Sequence, residues 1–235
     1  MRCATYNVLA DAYTGYGDYS HVDPEFMLPG ARTKGIVRLI DDLDVDVIGL
    51  QEAEEPLVQA FGETGMWQTF WSPKGRNKPD GCLTLVRPGI DVHGFATHEY
   101  GDGSGHIMQI LALGRIAFAN THIKWAPADS PDHIGVSQTT ELLARLGSEQ
   151  QAVIFADCND RPGGPVRQLV EQAGFTHPYE DKPTAIVNQE LVALDLLAVR
   201  GLGARCITRQ YDLTTLPNRD CPSDHIPIVA ELAIE

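Results

Sequence analysis

The 235-residue sequence predicts an α/β fold in which two packed sheets are covered by helices. Three observations carry that expectation. Two apolar segments, Ile107 to Leu113 and Ile116 to Ile123, flank Gly114-Arg115, the spacing of an antiparallel hairpin closed by a type II′ turn. Apolar residues at Ile36, Ile40 and Leu43 follow one helical face and run directly into a buried stretch, Val45 to Leu50. The C-terminal segment alternates Ile226, Ile228, Ala230, Leu232 and Ile234 with more polar neighbours, as a half-buried strand does. Hairpins separated by helices favour two sheets over one purely parallel sheet.

In chain order, Cys3 to Ala10 is a short apolar segment rich in strand formers, and Asp11 to Pro29, polar and rich in Gly, Tyr and Asp, reads as a long loop. The helix from Arg32 and the strand Val45 to Leu50 come next, then the hairpin. A helix with Val136, Thr140, Leu143 and Leu146 on one face precedes the apolar run Ala152 to Ala156. Val166, Leu169, Val170 and Ala173 mark a further short helix. No repeat, low-complexity tract or linker interrupts the chain, and its 43% hydrophobic content suits a single domain over residues 1–235.

The net charge is −14, from 18 basic and 32 acidic residues, which argues against a general grip on long nucleic-acid duplex. A nucleic-acid substrate is therefore expected to enter by a short single-stranded end, although acidity also serves plain solubility. There is no basic start followed by an apolar run, and no stretch nears the ~18 apolar residues of a membrane span. The expectation is a soluble, unprocessed, cytoplasmic chain. Cys3, Cys82, Cys158, Cys206 and Cys221 are scattered and odd in number, which suggests neither a disulfide framework nor a zinc knuckle.

Acid, amide and imidazole side chains stand where apolar runs end, where a rigid sheet can converge them on one rim. They are Asn7, Glu52, His122, Asp157, Asn159, Asp195, Asp224 and His225. Glu52 directly follows the run Val47 to Gln51; it reads as a ligand for Mg²⁺, which prefers hard oxygen donors, or as a helix cap. Asp157 and Asn159, two apart, share a face if extended, so one can position water while the other meets metal or phosphate; an Asx turn fits the same pattern. Asp224 and His225, adjacent in sequence, point apart if extended and are not expected to pair. Lys124 and Trp125 offer a charge and an aromatic platform for a base, or a pair packed on the hydrophobic body. Lys74, Arg76 and Lys78, a small basic cluster before Asp80, read as a solvated loop ahead of one that meets a substrate's phosphates, and Tyr13, Tyr16, Tyr19 and His21 as a candidate wall of the site.

Taken together, YNV, LQE, DG, NTH, D-x-N, LD and SDH, spread from residue 7 to residue 225, resemble the signature set of the endonuclease/exonuclease/phosphatase superfamily. YNVLAD, THIKW, Lys182-Pro183-Thr184 and above all Leu216-Pro-Asn-Arg-Asp-Cys-Pro-Ser-Asp-His225 resemble its deadenylase, Angel and nocturnin branch. The resemblance implies a four-layered α/β sandwich, two mixed, mostly antiparallel sheets flanked by helices. It also implies a Mg²⁺-dependent phosphoesterase, with Mn²⁺ a possible substitute, acting on RNA 3′ ends or nucleotide-like molecules. Glu52 would be the principal metal ligand with Asn7 beside it at metal and phosphate. Asp157 would activate water, Asn159 would hold the phosphate, and His122 and His225 would stabilise its developing charge. Asp224 would bind a second metal or steer His225. Where the family has Gly-Asp-Phe-Asn and Leu-Asp-Tyr-Ile, this chain has Ala156-Asp-Cys-Asn159 and Leu194-Asp-Leu-Leu197, which alters packing near the site. The competing functions are an inositol-phosphate or lipid-head-group esterase, for which no amphipathic membrane segment is seen, and an inactive binding module, which the intact acid and imidazole set disfavours.

Overall fold

The computed structural model describes residues 1–127, 129–147 and 150–234. In chain order these form β1 (Arg2–Asn7), α1 (Thr33–Asp42), β2 (Val47–Glu54), α2 (Glu55–Thr64), β3 (Gln68–Pro73), β4 (Asp80–Val86), β5 (Val92–Glu99), β6 (Ile107–Leu113) and β7 (Ile116–His122). They continue with α3 (Ile134–Leu146), β8 (Gln151–Asp157), α4 (Pro165–Gln172), β9 (Ala185–Val187), β10 (Glu190–Val192), β11 (Asp195–Arg200), β12 (Gly203–Cys206) and β13 (Ile228–Ala233). One sheet has the order β12-β13-β1-β2-β4-β3, the other β11-β8-β7-β6-β5, and β9 and β10 form a small separate hairpin. Among the described residues, only β1 with β2 and β7 with β8 run parallel. A parallel pair cannot be closed by a tight turn, and α1 and α3 supply the two crossovers.

Three apolar clusters show how the layers stack. Ile36, Leu39 and Ile40 of α1 and Leu57 and Phe61 of α2 pack on Ala4, Tyr6, Ile48 and Leu50 of the first sheet. Leu142 and Leu146 of α3 and Val166 and Val170 of α4 pack on Ile154, Ala156, Leu196 and Ala198 of the second. Between the sheets, Cys3, Val47 and Val86 meet Phe118, Val153, Phe155, Leu197 and Val199. The result is helices, sheet, sheet, helices, the four-layered α/β sandwich expected.

Near the site the inter-sheet layer turns polar. Gln51 donates to Asn120 Oδ1 at 2.8 Å, Asn120 donates to Thr84 Oγ1 and the carbonyls of Leu50 and Leu83, and Gln109 donates to the carbonyls of Phe70 and Cys82. All of these side chains are buried. A satisfied buried network of this kind rigidifies the join between the sheets.

Some elements differ from their sequence pattern. α3 buries Gly135, Gln138, Thr139, Leu142 and Leu146, while Thr140 is exposed, because Gln138 turns inward to hold Asp102, Ser104 and the Lys124 backbone. β13 is buried on both faces over Ile228–Ala230 instead of alternating, since it lies between β12 and β1 with a sheet on one side and helices on the other. The hairpin matches, with Gly114 at φ 59°.

Gly49 marks the tightest approach of the sheets: a Cβ there would lie 2.6 Å from Phe155 Cβ. Gly49→Ala should destabilise the fold by about 1–3 kcal/mol through overpacking. Urea unfolding checks this, and an unchanged midpoint would refute the close approach.

Candidate active site

Strand alternation decides which side chains can meet. Cys3 of β1 faces the inter-sheet layer, so Thr5 and Asn7 face it too. By the same parity Phe118 of β7 carries His122, Phe155 of β8 carries Asp157, and Leu197 of β11 carries Asp195. Register then aligns them: His122 lies opposite Asp157, and Asp157 opposite Asp195. The strand ends thus present a row of three ionisable groups, facing Asn7 across the gap.

Glu52 breaks this parity. Leu50 faces the helices, so Glu52 should as well, but the register shifts between Leu50 and Ala53 and Glu52 takes φ 58°. The bulge swings its carboxylate to Asn7 Nδ2 at 3.1 Å and to the backbone N–H of Ala10 at 3.0 Å. The same Asn7 Nδ2 donates to Asp157 Oδ2 at 2.8 Å, while Asn7 Oδ1 accepts the Leu9 N–H. The amide nitrogen of Asn7, not its oxygen, therefore faces the two acids. Arg32, buried just before α1, fixes the surrounding loops by donating to the carbonyls of Val8, Leu9 and Pro222 and pairing with Asp11 at 2.6 Å.

The remaining groups close around this pair of carboxylates. Asp157 accepts the Asn159 N–H in an Asx turn, and Asn159, at φ 47°, directs its amide to His122 Nε2 and the Ile123 carbonyl, both at 2.9 Å. His122 lies 3.8 Å from Glu52 and 3.6 Å from Asp157. His225 Nδ1 is 2.7 Å from Asp195 Oδ2, and its Nε2 is 3.9 Å from Asp157. Asp224 accepts the Tyr19 hydroxyl at 2.7 Å and has no bond to His225, in line with the expected divergence. The Ser223 hydroxyl donates to the Asn7 carbonyl, tying the C-terminal loop to β1.

Burial sets the electrostatics. It pushes the Glu52 carboxyl up to about 7, against the pull of the Lys74 ammonium, and the Asp157 carboxyl up to about 6, against that of His225. His122 is held well below the usual histidine range by burial and by Lys74. At His225 burial works against the charged ring, but Asp195, Asp224 and Asp157 outweigh it and raise the imidazole well above that range. Glu52, His122 and Asp157 offer ligand atoms within 4.8 Å of one another, as do Asp157, Asp195 and His225. A buried carboxylate, Asp157, and a half-buried one, Glu52, whose ionisation is this costly and whose oxygens converge, fit a hard divalent cation.

Lys74 is the main departure from the sequence reading. It is buried, not solvated; it pairs with the buried Asp80 and lies 3.2 Å from His122 Nδ1. Arg76 is exposed and Lys78 half-buried. Lys74 directly follows β3, the same strand-end placement that singled out Glu52 and Asp157, so the signal was present. Tyr13, whose hydroxyl donates to Asp80, and Tyr19 come from the Asp11 to Pro29 segment, where no periodicity points to them. That segment lines a cavity of about 340 Å³ through Tyr13, Tyr16, Tyr19 and His21, with Glu52, Asn159, Asp224 and His225 at its floor. Trp125 is 63% exposed and does not pack on the body, and Lys124 beside it is exposed. Among the described residues no helix is long and apolar enough to cross a membrane.

Among solved structures, the chain is similar to ANGEL2, a 2′,3′-cyclic phosphatase, in complex with adenosine-2′,3′-vanadate, at 18% identity over 98% of this chain and 94% of that one, with a TM-score of 0.83. The human Nocturnin catalytic domain with bound sulfate aligns at 19% identity over 99% and 93%, with a TM-score of 0.76. A protein of unknown function from Enterococcus faecalis aligns over the full length of both chains at 18% identity and a TM-score of 0.79. These likenesses show a shared fold. No curated protein sequence matches the chain. The model of the Endonuclease/Exonuclease/phosphatase family matches residues 4–225, nearly the whole chain, and the chain belongs to that family.

Proposed function

We propose that this phosphoesterase hydrolyses a phosphodiester or phosphomonoester in an RNA 3′ end or a nucleotide-like molecule, using a Mg²⁺ ion and in-line attack by water. The observation that carries the reading is the convergence of Asn7, His122 and His225 on Asp157 at the rim of both sheets, with Glu52 held by the same Asn7 amide. Glu52, with Asp224 nearest the cavity, would hold the cation, and Mn²⁺ would substitute for it. When bound, the ion supplies Lewis-acid polarisation of a phosphoryl oxygen.

Each residue then has a defined task. Asp157, its second oxygen held by the Asn159 N–H, accepts a proton from the attacking water. His225, clamped and kept cationic by Asp195, donates toward the phosphoryl oxygens as negative charge grows on them. His122, neutral and with both ring nitrogens engaged, by Asn159 and by Lys74, sits between the two carboxylates and holds that pair of donors in place beside the phosphate. Asn7, its amide hydrogens committed to Glu52 and Asp157, holds the two acids at their separation. Lys124 and Trp125, exposed next to the His122 strand end, offer charge and a stacking face to the rest of a single strand. The adenosine analogue bound by ANGEL2 supports a nucleotide-like substrate. The cavity lining contains no Lys or Arg, which disfavours a polyphosphorylated inositol.

Glu52→Gln should lower turnover of short oligoadenylate by at least roughly 10²-fold, as loss of a central electrostatic group does. Circular dichroism of that variant should be unchanged; retained activity would sink the assignment of Glu52.

The pH dependence has a definite sign. Glu52 and Asp157 bind protons more tightly folded than unfolded, so without metal their contribution to stability falls as pH rises from about 4 toward about 7. A divalent cation offsets this only once both are ionised. Added Mg²⁺ should therefore raise Tm by several degrees at pH 8 and scarcely at pH 5. Scanning calorimetry at the two pH values checks this, and an equal shift at both would point to a cation site elsewhere.

A further inference from the structure

Thr184 closes the motif Lys182-Pro183-Thr184 and directly precedes β9. It is buried and stands between the two segments that carry Asp195 and His225. Its backbone holds one and its side chain the other. On the His225 side, the Thr184 carbonyl accepts the Ile226 N–H at 2.8 Å and the Asp224 carbonyl accepts the Ile186 N–H at 2.9 Å, which places Ala185 opposite His225 in a short antiparallel bridge. On the Asp195 side, the Thr184 hydroxyl oxygen accepts the backbone N–H groups of Leu194 at 3.0 Å and Asp195 at 3.1 Å. The Thr184 N–H donates to the Val192 carbonyl at 2.8 Å and so extends the β9–β10 ladder.

The bond to Asp195 follows from how β11 begins. The Cys158 N–H donates to the Leu194 carbonyl, so Asp157 and Asp195, which lie opposite one another, form a pair without hydrogen bonds between them, and the Asp195 N–H points away from β8. A buried N–H turned away from its sheet needs an acceptor, and Thr184, 11 residues earlier in the chain, supplies it.

That bond bears on the chemistry because little else aims the Asp195 carboxylate. Its Oδ2 lies 2.7 Å from His225 Nδ1, while its Oδ1 is buried and has no hydrogen-bond partner among the described residues. The direction of the carboxylate is therefore set by the chain that bears it, through Thr184 on the Asp195 N–H and Arg167, donating at 3.1 Å, on the Asp195 carbonyl. Asp195 in turn orients the His225 ring, whose Nε2 is left to face Asp157 and the reacting phosphate.

We propose that Thr184 is a positioning residue for the reaction: its hydroxyl sets the backbone from which Asp195 reaches His225, and its carbonyl holds the chain just after His225. The inference rests on the phosphoester reading above and deepens it, since Thr184 acts through the Asp195–His225 contact. Without the hydroxyl, Asp195 loses its anchor, and the His225 ring no longer points where charge develops.

Thr184→Val keeps the β-branched shape and removes the acceptor, whereas Thr184→Ser keeps the acceptor and loses a methyl group. With Mg²⁺ and short oligoadenylate, Thr184→Val should lower kcat by at least about tenfold with KM within about twofold, since a misplacement near 1 Å costs on the order of 10²-fold. Thr184→Ser should keep at least about a third of the wild-type kcat, the loss expected when the anchoring hydrogen bond survives. In an Asp195→Asn background, Thr184→Val should cost less than about threefold more, because the two residues act as one unit. The contact is also read without substrate, from the low-field imidazole N–H proton resonance of His225, identified by its loss in Asp195→Asn. It should persist in Thr184→Ser and move upfield or vanish in Thr184→Val; Thr184→Ala serves in place of Thr184→Val if the latter does not fold. An unchanged kcat and resonance in Thr184→Val, equal losses in Thr184→Val and Thr184→Ser, or full additivity with Asp195→Asn would overturn the positioning role. A wild type that leaves oligoadenylate intact removes that substrate reading instead, and the resonance then decides the role of Thr184 by itself.

Discussion

The Asn7 amide is the interaction on which the site depends. Its nitrogen donates to Glu52, at a bulge in one sheet, and to Asp157, at a strand end of the other. The two carboxylates would otherwise repel one another across the inter-sheet gap. Asn7 can bridge them only because the sheets are locked in register below it. Gly49 lets Phe155 approach, and the Gln51, Asn120 and Gln109 network fills the layer beneath with satisfied hydrogen bonds. Arg32 and Ser223 then hold the loops that follow β1 and precede β13 against the same strand end. Geometry at the rim is inherited from the packing underneath, with little left to loop flexibility.

Much of this was legible in the sequence. Strand and helix periodicities located the α1–β2 unit, the β6–β7 hairpin and β8, and the acids and imidazoles closing those runs marked the rim. Alternation does the rest: once Phe155 faces the other sheet, Asp157 must as well. What was not legible has physical reasons. Glu52 reaches the site through a bulge and a left-handed backbone, which no period-2 pattern encodes. The face of α3 was misplaced because a buried glutamine, Gln138, outranks apolar neighbours when three polar partners await it. Lys74 was taken for solvent because a lone lysine in a loop usually is, and only the buried Asp80 opposite reverses that expectation. The wall built by Tyr13 and Tyr19 depends on an irregular segment whose course follows from tertiary contacts.

The chain's net charge of −14 also gains a local meaning. An acidic surface gives a polyanionic substrate no broad attraction, so affinity has to come from a few placed groups. Lys74 is buried and committed to Asp80 and His122, which turns one cation into a fixed field at the site. His225 is kept charged by the acids around it, Asp195 foremost. At this rim positive charge is thus fixed by its partners, in Lys74 and His225, and does not depend on a broad basic surface.

Backbone strain is distributed in the same selective way. Among the described residues, nine that are not glycine take a positive φ, and five of them, Leu9, Glu52, Asn159, Asn188 and Gln189, line the cavity beside the carboxylates. Each costs of order 1–3 kcal/mol that a glycine would avoid, and each places a side chain that glycine lacks. Glu52 turns its carboxylate out of the helix layer, Asn159 holds His122, and Gln189 reaches Asp18. A fold kept only as a binding scaffold has no need to hold a glutamate and an asparagine in strained conformations around the Asp157 carboxylate. The concentration of strain at Glu52 and Asn159 therefore argues for chemistry at this rim, whereas Asn188 and Gln189 take their positive φ from the tight turn of the β9–β10 hairpin.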